Sequence, residues 1–229
     1  MPKIYWAGDS TVKSNDIKTY PQTGIGQVFS LYVKKGIQIE NHAENGRSTK
    51  SFIDESRLPA IYDSITVGDF FFIQFGHNDE KIMDPSRYTE PFSEYMENLG
   101  KFIAVARNKN AYPVLITPLE RRCFTDGRLG IGEHTDYVTA MKQTAEKLQV
   151  PLIDLYSMSR MELKKAGKEK SKYWYMNLEP GEFSKHPEGQ EDNTHLRYEG
   201  AVLFAGCIAR GLQALGGVYG DLLVEGMEE

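Results

Sequence analysis

The feature that most constrains this chain is the run Phe70-Phe71-Phe72-Ile73-Gln74-Phe75, a short and almost wholly apolar stretch. It shows no alternation of polar and apolar residues, so the strand it forms must be buried on both faces. Such a strand belongs inside a parallel sheet covered by helices above and below. The remaining pattern agrees. Short apolar runs at 4–7, 37–41, 112–117 and 151–155 read as further strands. Between them lie stretches of helical periodicity at 24–35, 48–65 with an interruption at Pro59, 92–108, 135–148 and 197–215. Strands alternating with helices predict an α/β fold, a three-layer α/β/α sandwich with about five parallel strands.

The length of 229 residues suits one large domain, expected to span residues 1–229. A formal charge of -5 argues against a broad phosphate-binding surface and so excludes nucleic acid as a partner. The amino-terminal segment turns polar after Ala7, and no apolar run is long enough to cross a bilayer. From this we expect no membrane association and a cytoplasmic location. Two cysteines, Cys123 and Cys207, lie far apart and without a pairing motif, so neither a disulfide framework nor a thiolate metal site is expected.

In open α/β sheets the functional groups gather beyond the carboxyl ends of the strands. Three polar turns fall there: Gly8-Asp9-Ser10-Thr11 after the first strand, Asn45-Gly46-Arg47-Ser48 after the second, and Gly76-His77-Asn78-Asp79 after the third. A fourth, Asp192-Asn193-Thr194-His195, follows an irregular segment at 171–191. Together they hold what acyl transfer needs: a nucleophile, a base, a group to orient the base, and donors for an oxyanion. Ser10 sits where a strand breaks into a turn, which can project its hydroxyl and present its own N–H. His195 supplies an imidazole suited to proton transfer near neutrality, and Asp192, three residues earlier, can hold that ring. The backbone N–H of Gly46 and the side-chain amide of Asn78 complete an oxyanion hole with Ser10.

The four turns resemble the four motif blocks of the SGNH (GDSL-like) hydrolase superfamily. That family's catalytic Ser, Gly, Asn and His fall on Ser10, Gly46, Asn78 and His195. The wording of the blocks is similar to that of rhamnogalacturonan acetylesterases: Ala7-Gly8-Asp9-Ser10-Thr11, Gly46-Arg47-Ser48-Thr49 and Gln74-Phe75-Gly76-His77-Asn78-Asp79. The resemblance covers nearly the whole chain in family order. It implies a flavodoxin-like sandwich and hydrolysis of acetyl esters on a pectin-type carbohydrate, with no metal or other cofactor. An acetylated oligosaccharide is the partner it implies, an imported one if the enzyme is cytoplasmic.

Each turn taken singly has an ordinary reading, as a helix cap or a tight turn; four of them in order do not. Other readings remain open at this point. His186, Glu188, Glu191, Asp192 and His195 have the donor types of a divalent-metal site, although that leaves the first three turns without a role. An esterase or thioesterase for longer acyl chains would carry an apolar lid or groove, whereas the segments 15–23, 79–89 and 179–191 are polar and charged. A carbohydrate-binding protein without catalysis would have lost part of the triad. His77 either borders the pocket or shapes its turn, and Arg47 either meets the sugar or forms a surface ion pair. The lysines of 164–172 read as a solvated helix face. Tyr173, Trp174 and Tyr175 are a sugar-stacking platform or part of the core.

Overall fold

A computed structural model describes residues 1–226; the last three positions of the expected 1–229 domain lie outside the described residues. Five strands form one parallel sheet in the order β2-β1-β3-β4-β7. They are β1 (Lys3–Gly8), β2 (Gln38–Asn41), β3 (Phe70–Gln74), β4 (Tyr112–Ile116) and β7 (Leu152–Ile153), with a small antiparallel hairpin of β5 (Phe124–Thr125) and β6 (Arg128–Leu129) standing apart. The apolar run occupies β3, held between β1 (Ile4 opposite Phe70, Gly8 opposite Gln74) and β4 (Phe70 opposite Tyr112).

Two apolar clusters cover the two faces of this sheet. Phe70 and Phe72 point to one, where Ile4, Trp6, Val114 and Ile116 join them. Phe71, Ile73 and Phe75 point to the other, with Tyr5, Ala7 and Leu115. The period-two geometry of a strand therefore divides one continuous run between two cores. On the first face Trp6 lies edge-on between Phe29 (5.1 Å between ring centroids) and Phe72 (5.2 Å). Full burial of each such ring contributes about 2 to 3 kcal/mol, which anchors the strands that carry the site.

Helices α1 (Ile25–Val28) and α7 (Tyr198–Leu215) pack on the first face. Helices α2 (Thr49–Asp54), α3 (Arg57–Ser64), α4 (Met96–Asn108) and α5 (Thr135–Leu148) pack on the second. Helix α6 (Leu155–Lys172) and the short α8 (Gly217–Gly220) complete the chain. Among the described residues no helix is long and apolar enough to cross a membrane.

Several local readings needed correction. The periodic stretch at 24–35 is not one helix: α1 gives way after four residues to a 3-10 turn at Phe29–Leu31. The stretch at 48–65 breaks at Ser56, whose φ of 58° is left-handed, and not at Pro59. Pro59 lies in the first turn of α3, where a missing N–H costs nothing. The stretch at 92–108 opens as a π-helical turn, Pro91–Tyr95, before α4 begins. Helix α6 was legible only in its lysine-rich half, and the β5–β6 hairpin was not foreseen. Both cysteines are free thiols.

Candidate active site

Crossing from β2 over β1 to β3 reverses the direction in which the sheet grows, and the carboxyl edge at such a reversal leaves a crevice. Ser10 follows β1, Gly46 follows β2 and Asn78 follows β3, and all three line one cleft of about 600 Å³ together with Asp192 and His195. The structure thus brings together every residue expected to act. A somewhat larger hollow, about 700 Å³, lies among Met1, Val67, Phe70 and Tyr112 near the amino ends of β1, β3 and β4. Its described lining holds no Ser, Cys or His, so it carries no Ser–His or Cys–His pair.

The turn bearing Ser10 is built by its neighbours. Asp9 is buried and its Oδ1 accepts from the Thr11 N–H (2.9 Å) and hydroxyl (2.8 Å), while the Asp9 carbonyl accepts from the N–H groups of Val12 and Lys13, each at 3.1 Å. Burial pushes the Asp9 carboxyl above its ordinary range, against the pull of the Thr11 hydrogen bonds. Helix α1 then packs onto the turn so tightly that a Cβ on Gly26 would stand 2.8 Å from the Val12 carbonyl oxygen and 2.6 Å from the Asn41 amide nitrogen. Only glycine permits that approach.

His195 Nε2 lies 2.9 Å from Ser10 Oγ, and its Nδ1 lies 2.7 Å from Asp192 Oδ2. The other Asp192 oxygen accepts from the N–H groups of Thr194 (2.8 Å) and His195 (3.0 Å). Burial alone would raise the Asp192 carboxyl, but the His195 hydrogen bond and charge and these N–H donors outweigh it and hold the group below its ordinary 3.8. Asp192 is therefore an ionised acceptor, which requires the hydrogen-bonded Nδ1 to carry the proton and leaves Nε2 free to accept from Ser10.

Residues that sequence reasoning missed pin this turn in place. Arg122, buried, donates from Nη1 to Asn193 Oδ1 (2.9 Å) and from Nε to Ser171 Oγ (3.1 Å), and its backbone N–H reaches the Asn193 carbonyl (2.9 Å). Asn177 donates to the Asp192 carbonyl (3.2 Å) and to Asn193 Oδ1 (3.1 Å). Nothing in local spacing marks these residues, because they act across folded chain.

On the opposite wall, Gly46 adopts φ +73°, a conformation that favours glycine. Its backbone N–H and that of Ser10 have no acceptor among the described residues. Asn78 donates from Nδ2 to the Arg47 carbonyl (3.1 Å), which ties the second turn to the third and leaves the amide's other hydrogen for a ligand. Behind them Asp79, fully buried, accepts from the Thr49 N–H (3.0 Å), the Thr49 hydroxyl (2.5 Å) and the Thr89 hydroxyl (3.0 Å). Burial, only partly offset by those donors, raises the Asp79 carboxyl to about 7.

The remaining candidates resolve plainly. His77 both borders the cleft and packs within the protein, its ring centroid 4.3 Å from that of His134. Burial drives its pKa well below 6.5, and the neighbouring His134 and Arg121 charges act the same way. His134 itself pairs through Nδ1 with Glu80 Oε2 at 2.7 Å. Arg47 forms a two-point pair with Glu55 (2.8 and 2.7 Å) and so is a surface ion pair. Tyr175 is buried and donates to the Glu120 carbonyl (2.8 Å), Trp174 packs edge-on against Phe204, and Tyr173 is exposed; none of the three lines the cleft. Glu188 and Glu191 line a different hollow, beside Arg122 and Lys172. Among the described residues no group of three or more His, Cys, Asp or Glu is placed to hold a metal ion.

A parallel sheet with a Ser–His–Asp hydrogen-bond chain at its carboxyl edge defines the class, an α/β serine hydrolase. The chain belongs to the GDSL-like lipase/acylhydrolase family, whose pattern matches residues 4–208. It is 42% identical to the rhamnogalacturonan acetylesterase RhgT of Bacillus subtilis, over 99% of this chain and 97% of that one. A second Bacillus subtilis protein, the probable rhamnogalacturonan acetylesterase YesY, is 41% identical over 93% of each chain. Among solved structures, a Bacillus subtilis protein that is 27% identical superposes with a TM-score of 0.80. That match covers 94% of this chain and 57% of the longer one.

Proposed function

We infer that this chain is a carbohydrate acetylesterase that removes acetyl groups from rhamnogalacturonan-type saccharides, with Ser10 as nucleophile, His195 as general base and acid, and Asp192 as the group that orients His195. The observation that carries the reading is the continuous hydrogen-bond chain from Asp192 Oδ2 through His195 to Ser10 Oγ, at 2.7 and 2.9 Å. The saccharide is taken from the two relatives named above, which share the chain almost end to end.

His195 Nε2 accepts the Ser10 proton as Oγ bonds to the acetyl carbonyl carbon. The carbonyl oxygen becomes an oxyanion that receives hydrogen bonds from the N–H groups of Ser10 and Gly46 and from the Asn78 amide. Collapse of this intermediate breaks the bond to the sugar oxygen, which leaves as an alcohol after taking the proton from His195. A water then gives a proton to His195 and attacks the acetyl-enzyme. Acetate departs and Ser10 regains its proton. Asp192 stays ionised throughout and stabilises the imidazolium form of His195.

The cleft also bears on the acyl group. None of its lining residues is aliphatic or carries a carbocyclic aromatic ring, so a long acyl chain would find no apolar surface to bury. A short acyl group on a polar alcohol fits. The test is acetate release from acetylated pectin, xylan and chitin oligosaccharides, run beside p-nitrophenyl esters of increasing chain length. Acetate release that is fastest on the pectin oligosaccharide and abolished in Ser10→Ala, with circular dichroism unchanged, is the expected result. Full activity in Ser10→Ala, or a preference for acyl chains of about eight carbons or more, would overturn the reading.

A further inference from the structure

The cleft carries positive charge that acyl transfer does not use. Besides Asp192, which is bound to His195, its charged lining consists of Lys81, Arg87 and Arg121. Arg121 is neutralised by Glu80 at 2.9 Å and Glu133 at 2.7 Å. The other two are less fully compensated. Arg87 pairs with Asp84 through Nε at 2.9 Å, which leaves the outer edge of its guanidinium without an ionic partner. Its Nη1 lies 3.1 Å from where a Cβ on Gly46 would stand, so this edge sits beside the proposed oxyanion hole. Lys81 is exposed, and its charge helps lower the Asp84 carboxyl. Among the described residues it forms no ion pair within 4 Å.

Two under-compensated cations thus line one cleft in a chain whose net charge is -5. A neutral acetylated sugar offers them nothing to bind. A carboxylate on the sugar does: the planar guanidinium edge matches its two oxygens, and the lysine adds a mobile point charge. We propose that Lys81 and Arg87 bind the carboxylate of a uronic acid residue at or next to the acetylated sugar. The cleft thereby selects acidic saccharides over neutral ones. This rests on the acetylesterase reading and adds to it the residues that read the sugar's charge. Because the Arg87 guanidinium lies beside Gly46, the uronate is held next to the proposed oxyanion hole.

The experiment measures acetate release from an acetylated oligogalacturonide and from the same oligosaccharide with its carboxylates converted to primary amides. The wild-type kcat/KM is expected to favour the free acid, with each cation contributing about fivefold. The preference should shrink as salt is raised from about 0.05 to 0.5 M, since partly exposed charges are screened. In the Lys81→Met/Arg87→Gln double variant the ratio of free acid to amide should fall to near one, and Lys81→Arg should largely retain it. Because the ratio is internal to each variant, a loss of folded protein lowers both rates and leaves it unchanged. Equal rates on the two substrates in the wild type, or a double variant that keeps the preference, would overturn the proposal. An enzyme that releases acetate from p-nitrophenyl acetate but from no saccharide would instead sink the acetylesterase reading beneath it.

Discussion

Asp79 makes the pH dependence of stability predictable from one side chain. It is fully buried, and burial, reinforced by the nearby Asp9 charge, outweighs the Thr49 and Thr89 donors and lifts its carboxyl from 3.8 to about 7. A folded-state pKa raised above the unfolded value means that the folded protein binds more protons between those two values. Stability contributed by this group is therefore present at low pH and lost as pH rises toward 7. At about 1.4 kcal/mol per pH unit the full loss is about 4 kcal/mol, of which about 3 falls between pH 5 and 8. Asp79→Asn keeps an oxygen to accept from Thr49 and Thr89 and has no charge to bury, so it should escape the loss. Urea unfolding of both proteins at half-unit steps from pH 5 to 8 isolates the effect, because titrations that do not couple to Asp79 are common to the two. The expected result is a gap in unfolding free energy that opens in favour of Asp79→Asn by about 3 kcal/mol as pH rises. Curves that run parallel across the range would refute the account of Asp79.

Asp192→Asn should lower kcat by about 10⁴ with KM little changed, since the residue acts on His195 and not on the sugar; steady-state acetate release on an oligosaccharide checks it. Because the Asp192 carboxyl is held below 3.8, its orienting role is present above that depressed value and is lost only as pH falls through it, so the wild-type rate should show no loss attributable to Asp192 at pH 5. Asn78→Ala should cost about 10² to 10³ in kcat by removing an oxyanion donor, measured on p-nitrophenyl acetate as well as on saccharide; a loss confined to KM would contradict the assignment. Arg122→Ala should lower kcat and also protection of the Thr194 and His195 amides from hydrogen exchange, because the arginine pins the turn in which both donate to Asp192. Unchanged exchange would show that Asn177 suffices.

How much of the site was legible depended on whether a residue's role was local. Ser10, Gly46 and Asn78 each lie within five residues of a strand's carboxyl end, so recognising strands at 4–7, 37–41 and 69–75 was enough to place them on one edge. Asp192 and His195 were legible because a spacing of three closes on itself through the Asp192 oxygens and the backbone N–H groups beside them. Arg122 and Asn177 were not, because each meets the Asp192–His195 turn only once distant segments have packed. Helical periodicity likewise told which residues face the core without telling where the backbone breaks. Ile25, Val28 and Phe29 all face inward, yet the chain leaves α-helical geometry after Val28; Ser56 in the left-handed region ends α2 where no proline or glycine announces it.

By itself, the amino-acid order determined that a doubly buried strand would demand helices on both sides, and that hydroxyl, imidazole, carboxylate and amide would stand at the carboxyl ends of the strands or just before the last long helix. These follow from the two-residue repeat of a strand and the short range of a turn, which involve only neighbours in the chain. Tertiary structure alone decided that His195 meets Ser10 across 185 positions, that Arg121 is paired with two carboxylates while Arg87 has only Asp84 and Lys81 has no ion pair among the described residues, and that burial lifts the Asp79 carboxyl to about 7. Those are matters of distance and solvent exclusion between segments far apart in sequence, and both quantities come into being only when the sheet has closed and the loops have settled over its edge.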